Sequence, residues 1–175
     1  EDRIHTSSEV THINRNPNGV DLALRDGRSF RFDQVVVAAH SDQALRMLAD
    51  PSEEEKAILG ALPYQNNEVV LHTDVRLLPQ NRKTWSSWNY RLGVDSGRAV
   101  VTYNMNILQG LNAPETFCVT LNDTASINPN RILGTFNYAH PVFSLAGIKA
   151  QQRWQEINGT RNTWYCGAYW HNGFH

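Results

Sequence analysis

Histidine is the side chain best suited to move a proton near neutral pH, and His72 is the candidate that this sequence singles out. It lies in an alternating segment, residues 68–75, whose pattern predicts a β-strand. A histidine on a strand could accept a proton from a substrate. It could equally be a structural or exposed residue, and the sequence leaves both interpretations open.

Other reactive side chains form no recognisable site. His171 and His175 lie four residues apart without an evident third ligand, so we predict no metal site. Cys118 and Cys166 form neither a CxxC pair nor a metal-binding spacing, which favours reduced thiols over a disulfide. No stretch matches a known nucleophile motif.

Aromatic side chains are concentrated in the middle of the chain. Trp85, Trp88, Tyr90, Tyr103 and Met105 fall on segments predicted to be neighbouring strands. Aromatic and soft apolar surface on adjacent strands is what a pocket for an apolar substrate needs. Ordinary packing within a sheet is the alternative for each of them taken singly.

The first part of the chain has the pattern of a meander followed by a buried strand. Asn18-Gly19 and Asp26-Gly27 are hairpin-turn dipeptides between alternating segments, which predicts three antiparallel strands. The apolar run at residues 35–39 is typical of a strand buried on both faces, as in a parallel sheet. Two short helices should follow, one capped by Ser41 or Asp42 and one beginning with a capping box at Ser52 and Glu55.

The remainder of the chain predicts an antiparallel sheet and a return to the first region. Strands are expected at residues 68–75, 85–90, 99–105 and 117–121, with an extended segment at 136–143. Residues 144–157 predict a helix with Leu145, Ile148 and Ile157 on one side, and residues 163–169 predict a last strand. The fold class is therefore α+β, an antiparallel or mixed sheet with flanking helices.

Two motifs resemble the flavin-containing amine oxidase family, which includes phytoene-desaturase-like proteins and bacterial predicted NAD/FAD-binding amine oxidoreductases. The first is the opening pattern Val10, Ile13, Gly19-Val20, Asp26-Gly27 and the run from Asp33 to His40. The second is the tail Trp164-Tyr165-Cys166-Gly167-Ala168-Tyr169-Trp170 followed by Asn172-Gly173-Phe174-His175, similar to the family's final cofactor motif.

The resemblance implies FAD as cofactor and assigns residues to it. Val10 would lie near the adenine end, Ala39 near the phosphates, and Phe174 beside the isoalloxazine ring. The other implied cofactor contacts are Gly167, Ala168, Tyr169 and Gly173. We expect the substrate to contact Phe174 and, from the strand aromatics, Trp88, Tyr90 and Tyr103. Residues 1–40 and 161–175 would belong to a partial FAD-binding domain and residues 41–160 to the substrate-binding domain.

Two departures from the family limit these expectations. The phosphate-binding G-x-G-x-x-G turn does not occur in the sequence, so we expect an internal piece of a flavoprotein that alone binds FAD weakly or not at all. Some amine oxidases carry a lysine on the first substrate-domain strand, whereas residues 68–75 contain none. The substrate could therefore be an amine, an acyl chain or a polyene.

Composition restricts the possible partners. Sixteen basic and seventeen acidic residues give a net charge of −1, which provides no attraction for nucleic acid. No apolar run approaches the roughly 20 residues that span a bilayer, and we expect a cytoplasmic protein with an apolar small-molecule substrate. Two alternatives to an oxidoreductase remain: a non-enzymatic module that binds a lipid-like or aromatic ligand, and an assembly domain that self-associates through exposed sheet edges.

Overall fold

A computed structural model describes residues 3–92 and 99–172 of the chain. Packing divides these residues into two units. The first contains the residues up to 64 together with those from 141 onward, and the second contains residues 65–140. The two predicted helices that follow residue 40, and residues 141–160, therefore group with the meander and not with the central sheet. The domain boundaries expected at residues 40 and 160 stay a prediction.

Ten strands and four α-helices lie within the described residues. The strands are β1 (Val10–Asn16), β2 (Gly19–Leu24), β3 (Ser29–Phe32), β4 (Val35–Val37), β5 (Tyr64–His72), β6 (Trp88–Tyr90), β7 (Val101–Asn104), β8 (Cys118–Leu121), β9 (Ile132–Pro141) and β10 (Thr163–Tyr165). The helices are α1 (Ser41–Met47), α2 (Glu53–Leu59), α3 (Met105–Gln109) and α4 (Leu145–Gln151). This mixture confirms the predicted α+β class.

Strands β1, β2 and β3 form the predicted antiparallel meander in the first unit. The first hairpin pairs Asn16 with Gly19, so its turn is Pro17-Asn18 and lies one residue earlier than expected. Gly19 has a φ of 135°, and a Cβ there would overlap the carbonyl oxygen of Phe32. Glycine is therefore required for β1 and β3 to flank the start of β2 this closely.

Strand β4 pairs in parallel with β10, which returns to it from near the other end of the chain. Val35, Val36 and Val37 lie opposite Thr163, Trp164 and Tyr165. The predicted parallel pairing is present, but the strand ends at Val37, and the Val36 side chain is 63% exposed. The expectation that both faces of this strand are buried is therefore wrong at Val36 within the described residues.

Helices α1 and α2 cover the core of the first unit. The capping box of α2 is confirmed: the Ser52 hydroxyl accepts from the Glu55 backbone N–H at 3.1 Å, and the Glu55 carboxylate accepts from the Ser52 N–H at 2.8 Å. The buried apolar side chains of this core include Ile13, Val20, Val37, Ala44, Leu48, Ile58, Leu59, Leu62, Ala150, Ile157, Tyr165, Tyr169 and Trp170.

A charged cluster that the sequence did not predict joins β1, α2 and β10 inside this core. The guanidinium of Arg15 donates to both carboxylate oxygens of Glu55, and Tyr165 donates its hydroxyl to the same carboxylate at 2.6 Å. The Arg15 and Glu55 side chains are buried. Burial alone would raise the pKa of Glu55, but hydrogen bonds from Arg15 and Tyr165 outweigh it and lower that pKa. These hydrogen bonds thus connect three elements that are distant in sequence, β1, α2 and β10.

Helix α4 is shorter than expected and turns a different side inward. It ends at Gln151 and is followed by a 3₁₀ turn, whereas one helix to residue 157 was expected. The Leu145 side chain is 81% exposed and Ile148 is also exposed, while Gly147 and Ala150 are buried. The small residues let α4 lie close to its neighbours, since a Cβ at Gly147 would be 3.3 Å from Leu62. The predicted apolar stripe is therefore wrong except for Ile157.

The second unit is a five-stranded sheet with the strand order β6-β7-β8-β5-β9. Strands β6, β7, β8 and β5 pair antiparallel, as the sequence predicted, in an order that the sequence did not predict. Strand β6 is shorter than the expected 85–90. Strand β9 adds a fifth member from a segment predicted only to be extended.

Candidate functional site

The three predicted substrate residues of the second unit lie together on one face of its sheet. Trp88 of β6 is directly opposite Tyr103 of β7, and Tyr90 is opposite Val101. The Trp88 and Tyr103 rings meet edge to face with centroids 5.4 Å apart. Because side chains alternate along a strand, the same face continues across β8 and β5 through Val119, Leu121, Val69 and Leu71.

Strand β9 extends this face with two further aromatic rings. The Asn67 amide is hydrogen-bonded to Nδ1 of His140 at 2.9 Å, which puts His140 on the side of β5 that carries Asn67 and Val69. Alternation then places Phe136 and Tyr138 on that side, and their rings are parallel with centroids 5.9 Å apart. The alternation of Phe136, Tyr138 and His140 was the sequence signal for this contribution, and it was missed.

We call this surface the aromatic face; it consists of Asn67, Val69, Leu71, Trp88, Tyr90, Val101, Tyr103, Val119, Leu121, Phe136, Tyr138 and His140. Its aromatic side chains are largely exposed: 51% for Trp88, 63% for Tyr90 and 53% for Tyr138. The exposed rings lie on the edge strands β6 and β9, whereas Val69 and Asn67 of β5 are buried. Exposed apolar surface is typical of a binding site. The aromatic face can therefore cover an apolar ligand.

The opposite face of the same sheet is buried and polar. His72 is fully buried, and its Nδ1 accepts from the Asp74 backbone N–H at 3.1 Å. Its Nε2 therefore carries the proton and donates to the Thr120 hydroxyl at 2.7 Å, which in turn contacts the Thr102 hydroxyl at 2.9 Å. We call His72, Thr120 and Thr102 the polar row.

Burial lowers the pKa of His72, although the nearby Asp74 carboxylate opposes this. Both ring nitrogens are engaged, and the imidazole lies on the other side of the sheet from Trp88 and Tyr90. The structure thus does not bring His72 together with the predicted substrate residues. Its catalytic role stays a prediction, and the hydrogen bonds give it a structural role.

Val10 and Ala39, the residues predicted at the adenine and phosphate ends of FAD, come together in the first unit. Both line an apolar cavity of about 290 Å³ whose wall includes β4 and Met47. Both also line an adjoining polar cavity of about 490 Å³. The polar side chains of that second cavity are Glu9, Thr11, Arg25, Gln43 and Arg46.

Gly167 follows the carboxyl end of β10, beside the carboxyl end of β4. The Cys166 N–H donates to the Val37 carbonyl at 3.1 Å, which extends the parallel pairing to that point. Gly167 has φ 159° and ψ 160°, and a Cβ there would overlap the ring of Tyr169. Ala168 and Tyr169 form a 3₁₀ turn with Trp170. Gly173 and Phe174 lie outside the described residues.

The Tyr169 hydroxyl is a buried polar group without a hydrogen-bond partner among the described residues. Burial raises the pKa of this phenol, so it keeps its proton and remains a donor. Leaving a buried hydroxyl unpaired costs about 1–3 kcal/mol, which an acceptor atom on a ligand would recover. A ligand beside Gly167 would be such a partner.

A family model described as flavin containing amine oxidoreductase matches residues 1–110. The chain belongs to this family. The match confirms the resemblance drawn from the two sequence motifs, the first of which lies wholly within the matched residues. No curated protein sequence matches the chain.

Solved structures share the fold of this chain. A CLA-producing fatty acid isomerase from P. acnes has a TM-score of 0.58 at 15% identity, covering 91% of this chain and 42% of its own. Reduced UDP-galactopyranose mutase has a TM-score of 0.62 at 12% identity, with 95% and 42% covered. A putrescine oxidase double mutant with redesigned cofactor binding has 0.57 at 8% identity, with 94% and 44% covered.

At these identities the likeness establishes the fold alone. The chain spans about two fifths of the length of these structures. None of the helices in the described part of the chain has the length and apolarity that a membrane crossing needs. Within residues 3–92 and 99–172, no group of three or more His, Cys, Asp or Glu side chains could hold a metal ion.

Proposed function

We propose that this chain forms the substrate side, and part of the cofactor side, of an FAD-dependent oxidoreductase. The reaction is oxidation of a C–N or C–C bond of a largely apolar substrate: a carbon of that bond gives up its hydrogen as a hydride to FAD, the adjacent atom loses a proton, and a double bond forms between them. Membership of the flavin containing amine oxidoreductase family supports the redox class. The observation that carries the substrate class is the aromatic face, where exposed rings from β6, β7 and β9 lie on one side of a single sheet.

On the substrate side, the aromatic face binds the substrate by removing apolar surface of both from water. Each Å² of apolar surface removed from water contributes about 25 cal/mol, so covering several rings supplies several kcal/mol of binding free energy. The Trp88–Tyr103 and Phe136–Tyr138 ring pairs are rigid and lose little conformational freedom on binding. Polar atoms are few on this face, with the Asn67–His140 pair at one edge. This composition favours acyl, polyenyl or aromatic groups over strongly polar ones.

On the cofactor side, FAD when bound supplies the hydride acceptor. The residues of this chain fit such a group: Val10 and Ala39 line apolar and polar cavities that meet, as an adenine and its ribose and phosphate would need. The parallel strands β4 and β10 end beside Gly167, and nucleotides bind at the carboxyl ends of parallel strands. The Tyr169 hydroxyl would donate to an acceptor there. Contacts by Ala168, Gly173 and Phe174 belong to the same proposal.

His72 remains a proposed proton acceptor with a specific requirement. Protonation at Nδ1 would break its hydrogen bond with the Asp74 N–H, and protonation at Nε2 would require the ring first to lose its present proton. Because burial lowers its pKa, the ring is neutral at pH 7 and its lone pair is available in principle. A change in the polar row must therefore accompany any such role.

The test is to express the full-length protein that contains this chain, record its flavin absorbance spectrum and follow flavin reduction by fatty acyl, polyene and amine substrates. Removing the ring in Tyr90→Ala or Tyr138→Ala should raise KM roughly tenfold, equivalent to about 1.4 kcal/mol, with flavin content unchanged. The matched control is Trp154→Ala, which removes an exposed aromatic ring of the first unit and should leave KM unchanged.

Three outcomes would contradict the proposal. A folded full-length protein containing this chain that cannot be reconstituted with FAD would reject the redox role. If such a colourless protein still bound an apolar ligand, and Tyr90→Ala abolished that binding, the non-enzymatic ligand-binding module would be the better explanation. Equal effects of Tyr90→Ala and Trp154→Ala on KM would remove the aromatic face from the site.

A further inference from the structure

A cavity of about 570 Å³ in the second unit is lined almost entirely by polar and charged side chains. It lies among the residues that follow β5, the 3₁₀ turn at Arg82–Thr84, and the loops that precede β8 and β9. Its lining is Thr73, Asp74, Val75, Arg76, Arg82, Pro114, Glu115, Thr116, Asn128 and Arg131. This volume is within the range of small-molecule sites.

Apart from the Arg76–Asp74 ion pair, the lining of this cavity carries more positive than negative charge. Arg76 and Asp74 neutralise each other through three hydrogen bonds between the guanidinium and the carboxylate, at 2.6–3.2 Å. The Asp74 carboxylate also accepts from the Asn128 N–H, and the hydrogen bonds from Arg76 hold the pKa of Asp74 well below its usual range. Asp74 is therefore unavailable to the other two arginines.

Arg82 and Arg131 are the uncompensated cations. Among the described residues neither has a carboxylate within ion-pair distance, and the exposed Glu115 is the one other acid in the lining. The Arg82 guanidinium lies 5.3 Å from the centroid of the Trp85 ring, a cation–π contact that limits its movement. Two guanidinium groups that line one polar cavity are suited to bind an oxyanion through paired hydrogen bonds.

We propose that this cavity binds a small ligand through a compact oxyanion of charge −2 or more, a phosphate or a polycarboxylate. Arg82 and Arg131 bind the anion, the hydroxyls of Thr73 and Thr116 and the amide of Asn128 add donors, and the Arg76–Asp74 pair fixes the wall. The site is separate from the cofactor cavities, which are lined by residues of the first unit.

The experiment titrates the protein by calorimetry with sodium pyrophosphate and, separately, with sodium citrate at constant ionic strength. One of these probes should bind, and Arg131→Gln or Arg82→Gln should weaken it about tenfold, a loss of about 1.4 kcal/mol. Glu115→Gln should tighten binding because it removes the opposing charge. The matched control is Arg31→Gln, which removes an exposed charge from the first unit and should leave affinity unchanged.

The pattern of results distinguishes the sources of the anion and can overturn the site. Preference for pyrophosphate identifies a phosphorylated ligand, and preference for citrate a polycarboxylate. No binding of either probe rejects the proposal. Equal weakening by Arg31→Gln and Arg131→Gln also rejects it, because the effect would then be one of net charge. Circular dichroism of each variant, with Arg131→Lys expected to keep part of the affinity, separates lost binding from lost folding.

Discussion

The two faces of the five-stranded sheet invert the usual arrangement of polar and apolar groups. The aromatic face is largely exposed, whereas the other face buries His72, Thr102 and Thr120. The polar row is fully paired within the sheet, so its burial carries no unpaired group. The aromatic face instead leaves much of the Trp88, Tyr90 and Tyr138 surface exposed to solvent. The difference supports the proposal that one face serves stability and the other serves binding.

The largest expected effect of this difference is on folding stability. His72→Ala removes a fully buried ring, leaves the Asp74 N–H without its side-chain partner and removes one of the two partners of the Thr120 hydroxyl, which keeps Thr102. We expect the free energy of unfolding to fall by about 2–4 kcal/mol, from the cavity and the lost hydrogen bonds together. Urea denaturation followed by circular dichroism measures it.

His140→Ala is the matched control, since it removes a histidine from the exposed face of the same sheet. Its loss should stay below about 1 kcal/mol, the size of one partly exposed hydrogen bond. A loss in His140→Ala as large as that in His72→Ala would break the proposed division between the two faces.

A smaller effect is expected in the pH dependence of stability. Burial lowers the pKa of folded His72 below the ordinary value of 6.5, so as the pH falls below about 6.5 the imidazole takes up a proton in the unfolded chain before it does so in the folded protein. The destabilising effect of His72 is therefore absent at neutral pH. The free energy of unfolding falls progressively as the pH drops from 6.5 towards the pKa of folded His72. Each unit of difference between the two pKa values is equivalent to about 1.4 kcal/mol.

Comparing the unfolding free energy of the protein with that of His72→Gln at pH 7.5 and 5.5 checks this pH dependence. The difference between the two pH values should be larger in the unsubstituted protein. If the two proteins lose the same stability on acidification, the imidazole does not titrate as its burial requires.

Local patterns in the sequence predicted much of this fold. The meander turns, the capping box at Ser52 and Glu55, and four of the five strands of the central sheet follow from signals within a few residues of each other. The prediction failed where the deciding neighbours are remote. The stripe of Leu145 and Ile148 has helical spacing, but the close packing of Gly147 near Leu62 determines which side of α4 is buried.

The candidate sites divide in the same way. Strand patterns were enough to place Trp88, Tyr90 and Tyr103 on neighbouring strands, and the family resemblance assigned Val10 and Ala39 to two parts of FAD. The partners of His72 could not be inferred, because Thr120 is 48 residues away and the cross-strand register decides that contact. The cluster of Arg15, Glu55 and Tyr165 likewise joins three elements that are distant in sequence. No local pattern could therefore predict it.

The smallest expected effect on stability is that of a substitution on the aromatic face. Tyr138→Ala should change the free energy of unfolding by no more than about 0.5 kcal/mol, because the ring is 53% exposed and its main contact is the stacked Phe136. The same substitution should weaken apolar ligand binding, so stability and binding would separate in one variant. Urea denaturation with and without ligand measures both quantities. A loss above about 2 kcal/mol without ligand would mean that the ring packs as core, and the aromatic face would then be ordinary sheet packing.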